Sequence, residues 1–541
     1  MFAPHDAQEF TLPGNETIKH ASAFVGGMGW IEAYLDGVKL GGDAVLEPGW
    51  SQWDARILYS SHDVTKVLTA SHRAVALGLV LGNGWPGHLG HTPTGKMLLR
   101  VTMQSGVVIK HATNARDWAG SAGPITSDDI YNGESYDSRL ELPGWSLPGA
   151  AASGWDRVEA YADPTLKQSV MSAQLMQPIR AFQLVSARAH WSLGPNRTVL
   201  DFGQNLAGWL RLEWDGAGGA TCANGTTITL RHAEYVNSTD HMGAGGALEV
   251  ANLRHAQATD TYVCDGRKGP FAYEPRFTYH GFRFAEVSGV AAVGWTVSAR
   301  VVHSDVSLTG HTSDTVGSFD VRGGPGAGLV NAIMRACEWT QRDNLHSVPT
   351  DCPQRDERQG WMADASVSSE AAMHYYWMPA FYESWLQSMR DVQAVVELEG
   401  DCWVASGPHP WGHNCTGTVA DTVPHMAGLF GKRPADPSWG VAYLLIYENM
   451  LRYYGDRRLA TELYPGVAAY VDWQVNVAEN SSSGLVDFHY YGDWLQPGRV
   501  ASSEIISRMS SAFNFLQVAA VGPEPSGLHW SQRACNGAAA P

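Results

Sequence analysis

The sequence predicts a multidomain protein, with two N-terminal β-sandwich domains followed by helical hairpins that suggest an α/α toroid. Three observations carry this expectation. At 541 residues the chain is too long for one ordinary core, so two to four domains are expected. Up to about residue 290, apolar residues come in short runs, some alternating, broken by glycine pairs and turns. From about residue 325 they recur at i, i+3 and i+4.

In the β half, "ASAFVGGMGWIEAYLDGVKLG" carries such runs around an Asp36-Gly37 turn. "RAVALGLVLGNGW", "RTVLDFGQNLAGWLRLEW" and "TTITLRHAEYV" repeat the pattern at sandwich-like spacing. A composition break in "PGWSLPGAAASGWDRVEAYADP" separates expected β domains over residues 1–165 and 175–290, and a third domain is expected over 310–541. "GNGWPG" (Gly82 to Gly87) matches G-x-G-x-x-G, but Pro86 and "HLGHTPTG" follow where a dinucleotide site needs a helix, so it reads as a turn.

In the second half, "GLVNAIMRACEWTQRDNL", "SVSSEAAMHYYWMPAFYESWLQSMRDVQAV", "SWGVAYLLIYENMLRYYGD", "RLATELYPGVAAYVDWQVNVAEN" and "SSEIISRMSSAFNFLQVAAV" have helical period. Loops rich in Gly, Pro, His and Trp join them, which suits a toroid whose site is built from loops at one end. Periodicity alone equally allows a plain helical bundle.

The net charge of −17, from 37 basic and 54 acidic residues, argues against nucleic acid or an anionic membrane as main partner. No apolar run is long enough to span a bilayer. The 21 tryptophans suit sugar-binding clefts, although large β-rich cores use tryptophan too. The seven cysteines form no CxxC pair, which argues against zinc, and no metal or cofactor is expected. Cys402 and Cys415 bracket a loop in which one bridge or two free thiols fit equally well. Sequons at Asn15, Asn196, Asn224, Asn237, Asn414 and Asn480 point to the secretory pathway. "MFAPHDAQEFTLPG" has neither the basic nor the apolar part of a signal peptide. Either a signal lies upstream of this chain or the sequons are unused.

The chemistry concentrates in "TDCPQRDERQGWMADASVSSE", where Asp351, Asp356, Glu357 and Asp364 crowd beside Arg355, Arg358 and Trp361. Glycosidic cleavage needs a proton donor, groups that stabilise an oxocarbenium-like ring, and apolar walls for the sugar's C–H faces. Crowded carboxylates raise one another's pKa, so one can stay protonated. The alternative is a surface salt-bridge cluster, with Arg355 and Arg358 pairing the acids and Asp364 capping the following helix. Glu134, Asp137 and Arg139 in "GESYDSR", and Asp201, Gln204 and Asn205 in "DFGQN", read as turn clusters that tie loops together.

"DCPQRDERQGWMADA" resembles the signature of the α-L-rhamnosidases of glycoside hydrolase family 78, departing at Ala363, where the family usually has glycine. "LDGVKLG", "PGWSQWDARILYSSHDVT", "LGNGWPG" and "IYNGESYDSR" are similar to the family's β-sandwich domain ahead of the catalytic region. "DFGQNLAGWLRLEW", "LRHAEYV", "NLRHAQATDTYVCDG" and "YEPRFTYHGFRFAEVSG" are similar to its next β domain, and "DPSWGVAYLLIYENMLRYYGD" and "YYGDWLQPG" to its helical barrel. The resemblance implies hydrolysis of terminal α-L-rhamnose from rhamnosides, with inversion, on an (α/α)6 toroid. It makes Glu357 the general acid, Asp351 and Asp364 the acids that hold rhamnose hydroxyls, and Trp361 an aromatic wall. It places Asp493 and Trp494 in a further pocket-lining segment. Asp356 and Arg355 are expected to orient the loop, and Cys352 to be a buried small residue without a histidine partner.

The family's barrel has twelve helices, and this chain offers about six before "VGPEPSGLHWSQRACNGAAAP", which loses the helical period. An incomplete toroid is therefore expected, its general base unassigned, Glu504 being taken for a surface residue. Activity of the chain alone is an open expectation beside the alternative of a non-catalytic carbohydrate-binding or truncated product. The expected partners are rhamnose-containing glycosides, neutral ones suiting the acidic chain better than acidic pectic polymers.

Overall fold

The computed structural model describes residues 4–13, 16–70, 74–149, 154–161, 166, 169–214, 222–237, 245–267, 269–290, 295–307, 320–399, 416–425, 436–480 and 484–486. Two compact units form, one of residues 1–358 with 375–377 and one of the remaining residues from Gln359 onward. Asp493, Trp494, Glu504, Cys402, Cys415 and the helix expected near 502–521 lie outside the described residues.

The first unit is β-rich. A six-stranded sheet, centred on Pro4–Thr11, Ala74–Gly82 and Trp30–Leu35, faces a five-stranded sheet centred on Arg56–Asp63, Ile18–Met28 and Thr94–Met103. "AVALGLVLG" is buried at every position after its first, as an uninterrupted apolar run in a central strand should be. Ala21, Ala23 and Val25 from one sheet share a core with Ile31, Leu77 and Leu79 from the other.

A ten-stranded sheet follows, built around the long strand Arg197–Trp214, which pairs with both His280–Ser288 and Trp295–Ser304. Its core contains Phe202, Leu210, Ile228 and Phe282. Gly133–Asp137, from the first sandwich's stretch of sequence, runs parallel to Thr259–Val263 in this sheet. Val170–Ala173 returns instead to pair with Arg56–Asp63. The two β regions thus exchange strands across the composition break. A disulfide joins Cys222 to Cys264 near the ends of the neighbouring strands Thr227–Ala233 and Thr259–Val263, with Cα atoms 5.6 Å apart. The "GNGWPG" turn is one short helix, Gly84–His88, and Asn83 just before it donates from its backbone and side-chain nitrogens to Asp128.

The second unit is helical among its described residues. The periodic stretch 366–395 is two helices, Met362–Tyr375 and Pro379–Glu399, because Pro379 suits a first helical position and breaks what precedes it. Pro379–Glu399 packs with Ala442–Tyr454 and Arg457–Glu479. Asp436 and Asp456 cap helix starts through their side chains, and Gly455 closes Ala442–Tyr454 at φ 66°.

Candidate active site

The acid-rich loop follows a two-rung hairpin, Leu345–His346 with Val348–Pro349, whose turn residue Ser347 donates its backbone N–H to Ser304 Oγ at 2.8 Å. The loop then lies against the strand His280–Ser288. Gly281 permits this approach, since a Cβ there would stand 2.7 Å from Pro353 Cγ and 2.9 Å from Gln354 Cβ. The "YHGFR" glycine is therefore a packing requirement of the loop.

Within the β-rich unit the loop carries an alternating chain of charge. Arg355 donates from Nη2 to Asp351 Oδ2 at 3.2 Å and from Nε to Glu357 Oε2 at 2.8 Å. Arg254, from the second β region, donates from Nη2 to the same Glu357 oxygen at 2.5 Å. Its Nε lies 2.8 Å from Asp356 Oδ1, a close ion pair without the alignment of a hydrogen bond. His255 Nδ1 is 2.9 Å from the other Asp356 oxygen. Asp351 and Glu357 side chains are 4% and 12% exposed, so a small opening reaches Glu357. Tyr131 Oη donates to the Glu357 carbonyl at 2.7 Å and fixes its backbone.

Arg358 pairs with none of these acids, contrary to the salt-bridge expectation. Its backbone has φ 54°, and the side chain is fully buried. It donates to the carbonyls of Arg355, Gln354, Ile130 and Tyr279, and lies over the rings of Tyr131 and Tyr279. A planar fork with five donors can satisfy several carbonyls at once, which ties the loop to the β scaffold. Burial, and next the Asp351 carboxylate, push the Cys352 thiol far above its ordinary value, so it is no nucleophile.

In the helical unit, Trp361 is 8% exposed and forms a β-bridge with Thr422. Met362 N–H donates to the Asp421 carbonyl and Val423 N–H to that of Gly360, both at 2.9 Å. A Cβ at Gly360 would lie on the Val423 carbonyl, so this position requires glycine. Asp364 is exposed in the first turn of Met362–Tyr375, inside the helix and past its cap position.

The β-domain clusters tie loops. Asp137 accepts from Arg139, Asp201 pairs with Arg283 through two 2.8 Å bonds, and Asn205 donates to Glu234 at 2.8 Å. Glu134 is fully buried and accepts from Arg276 N–H at 2.8 Å, and burial pushes its pKa up to about 8. Two groupings among the described residues bring three potential metal-ligand atoms within 4.8 Å, Asp351–Cys352–Glu357 and His232–Asp260–His280. In the latter all three are fully buried, and His280 Nε2 lies 3.1 Å from both Asp260 oxygens. Burial, then the neighbouring imidazole, holds His232 at about 3, and Arg358 adds its positive charge nearby. That charge also opposes a cation there.

Sequence reasoning missed Arg254 and Tyr131, which approach Glu357 from 103 and 226 residues away. The local signals were "NLRHAQATDTYVCDG" for Arg254 and "IYNGESYDSR" for Tyr131, matching segments in which neither residue carried a role.

β-Sandwich regions ahead of a helical unit, with an acid-rich loop just before it in sequence, are the layout of a modular glycoside hydrolase. Comparison with known proteins narrows this. The α-L-rhamnosidase N-terminal domain matches residues 16–183, the bacterial α-L-rhamnosidase concanavalin-like domain 192–304, and the bacterial α-L-rhamnosidase 6 hairpin glycosidase domain 326–517. An α-L-rhamnosidase of Streptomyces avermitilis is 32% identical over 511 residues, 92% of this chain and 44% of that protein. One of Formosa agariphila is 30% identical, over 89% of this chain and 48% of its own length. The solved α-L-rhamnosidase of Dictyoglumus thermophilum superposes with a TM-score of 0.81 at 32% identity, covering 96% of this chain and 52% of that one. The chain belongs to the α-L-rhamnosidases of glycoside hydrolase family 78. It spans about half the length of the curated relatives it matches.

Proposed function

We propose that the chain provides the proton donor of an inverting α-L-rhamnosidase acting on terminal, non-reducing α-L-rhamnose of neutral rhamnosides. Glu357 gives its proton to the glycosidic oxygen as the bond from sugar C1 to that oxygen breaks. Water adds to C1 from the opposite face and loses a proton to a general base. Asp351 and Asp364 hold sugar hydroxyls and Trp361 a C–H face, as the signature assigns them, and Asp493 and Trp494 belong to a further pocket-lining segment. The helical domain, expected over 310–541, belongs to an (α/α)6 toroid that follows in sequence the β domains expected over 1–165 and 175–290. A secretory route accompanies this, supported by the exposed sequons Asn196, Asn224, Asn237 and Asn480 and by the Cys222–Cys264 disulfide.

The observation that carries the proposal is the state of Glu357. Inside the matching signature, Oε2 is anchored by two guanidinium groups while Oε1 has no partner among the described residues. One carboxyl oxygen is held and the other can serve the leaving group. In Glu357→Gln, turnover of a natural rhamnoside should fall roughly 10²–10⁴-fold, the usual worth of general acid catalysis. An activated aryl rhamnoside, which needs little protonation, should lose much less. Equal losses on the two substrates would remove Glu357 from the role.

A further inference from the structure

We infer that Arg254 is a positioning residue for Glu357, a part of the acid machinery supplied by a β-domain loop far from the signature. This rests on the assignment of Glu357 as proton donor. Arg254 ends the short 3-10 turn Ala251–Leu253 at φ 57° and ψ −107°, a conformation L-residues rarely adopt. Local packing does not demand an arginine there, because its side chain is 42% exposed. The loop is held by other residues: Leu253 and Ala256 are buried, and Ala258 N–H donates to the Tyr131 carbonyl at 3.1 Å. The Ala258 carbonyl in turn accepts from both the backbone N–H and Nδ1 of His232 at 3.0 Å.

What the unusual backbone does is aim the guanidinium. Nη2 reaches Glu357 Oε2 at 2.5 Å while Nε sits 2.8 Å from Asp356 Oδ1, so Asp356 holds the arginine that holds the acid. Arg355 takes the same Oε2 from the other side at 2.8 Å. Two cations on one oxygen draw the carboxyl's negative charge to it and leave the proton to Oε1. Arg355 alone would keep a contact but not the orientation, since its other nitrogen is committed to Asp351. Arg254 therefore decides which oxygen faces the leaving group.

The test uses the full 541-residue chain, ¹³C-labelled at glutamate carboxyls, with Glu357→Gln identifying the Glu357 resonance. In Arg254→Ala that resonance should titrate at higher pH than in the unaltered chain, because a cation that favours the ionised form is gone. Arg254→Lys keeps a charge and should restore most of the midpoint. Alongside, Arg254→Ala should lower kcat on a natural rhamnoside roughly 10–100-fold, the usual cost of a misplaced catalytic group, with little change in KM and a smaller loss on an activated aryl rhamnoside. An Arg254→Ala titration identical to the unaltered chain overturns the inference. So does an equal kcat loss on both substrates while Glu357→Gln distinguishes them. A moved titration with no leaving-group dependence in Glu357→Gln would instead refute the proton-donor assignment and leave the pairing standing. Should Arg254→Ala fail to fold, as read by circular dichroism, Arg254→Gln takes its place under the same criteria.

Discussion

Two regions of the β-rich unit crowd titratable groups, and they differ in kind. Glu134, His232, Asp260 and His280 are completely buried. Burial pushes Glu134 up to about 8, Asp260 up to about 6 and His232 down to about 3, so near neutrality the imidazoles are neutral and Glu134 stays largely protonated. In the loop 351–358, acids alternate with guanidinium groups and the Glu357 side chain keeps 12% of its surface. Sealed crowding neutralises Glu134 and both imidazoles, leaves Asp260 the one mostly ionised member, and becomes architecture. Crowding with counter-charges and an opening keeps them chemically available. Density of acids alone does not separate the two; access and opposite charge do.

Burial chiefly depresses both histidines, and the charge of Arg358 adds to it while its side chain anchors the loop. Arg358→Met should therefore have the largest effect. Methionine relieves the desolvation of a buried cation, and the Arg355 and Ile130 carbonyls keep the Glu357 N–H and the Thr278 hydroxyl. Those of Gln354 and Tyr279 lose their donor, each worth about 1–3 kcal/mol when buried and unsatisfied. The balance is a destabilisation of about 2 kcal/mol, read as a lower urea midpoint of the β-rich unit's transition. Arg358→Lys should recover only part, since an ammonium cannot reproduce the fork. A midpoint unchanged in Arg358→Met would mean the carbonyls find other donors, and the loop's anchoring would have to lie in Gly281 and Tyr131.

A smaller effect separates the sealed region from the loop by pH. The folded value for Glu134, about 8, stands above its ordinary 4.5, so between these the unfolded chain releases a proton that the folded one keeps. Stability from this group is thus present at low pH and is lost as pH rises from about 4.5 to about 8, with a slope on the order of 1.4 kcal/mol per pH unit at most. Glu134→Gln cannot titrate, yet its oxygen can still accept from Arg276 and Phe277 N–H while its amide donates to Tyr273. The variant's stability should fall less between pH 5 and 8 than the parent's. Parallel pH profiles would place Glu134 in contact with water.

What the sequence made legible follows the same division. The loop's acids were visible because they are near neighbours in sequence, and Gly281 stands within the local segment "YHGFR". The salt-bridge alternative fails at Arg358 because an arginine beside acids suggests an ion pair, while its backbone at φ 54° and its carbonyl partners take it away from them. Arg254 could not be assigned, since only a tertiary fold brings it across 103 residues to Glu357. The Cys222–Cys264 pairing, 42 residues apart, and the crossing of Gly133–Asp137 into the second sheet were invisible for the same reason. Periodicity reports which face of an element is buried, not which element covers it.

The smallest expected effect concerns Asp364, the one signature acid that is exposed in the helical unit. Two roles make different demands on it. A carboxylate in a helix's first turn gains about 0.3–1 kcal/mol from the exposed N–H groups and dipole, and asparagine would lose that amount in stability alone. A carboxylate that accepts sugar hydroxyls contributes a charge-assisted hydrogen bond, and asparagine would weaken binding while changing stability little more. Asp364→Asn should therefore raise the dissociation constant for free rhamnose by about tenfold in calorimetry, equivalent to about 1.4 kcal/mol. Asp351→Asn supplies the comparison, because losing its pairing with Arg355 should cost stability as well as affinity. An unaltered affinity in Asp364→Asn, with a slightly lower unfolding midpoint, would leave Asp364 a helix-terminus residue and confine the sugar-holding role to Asp351.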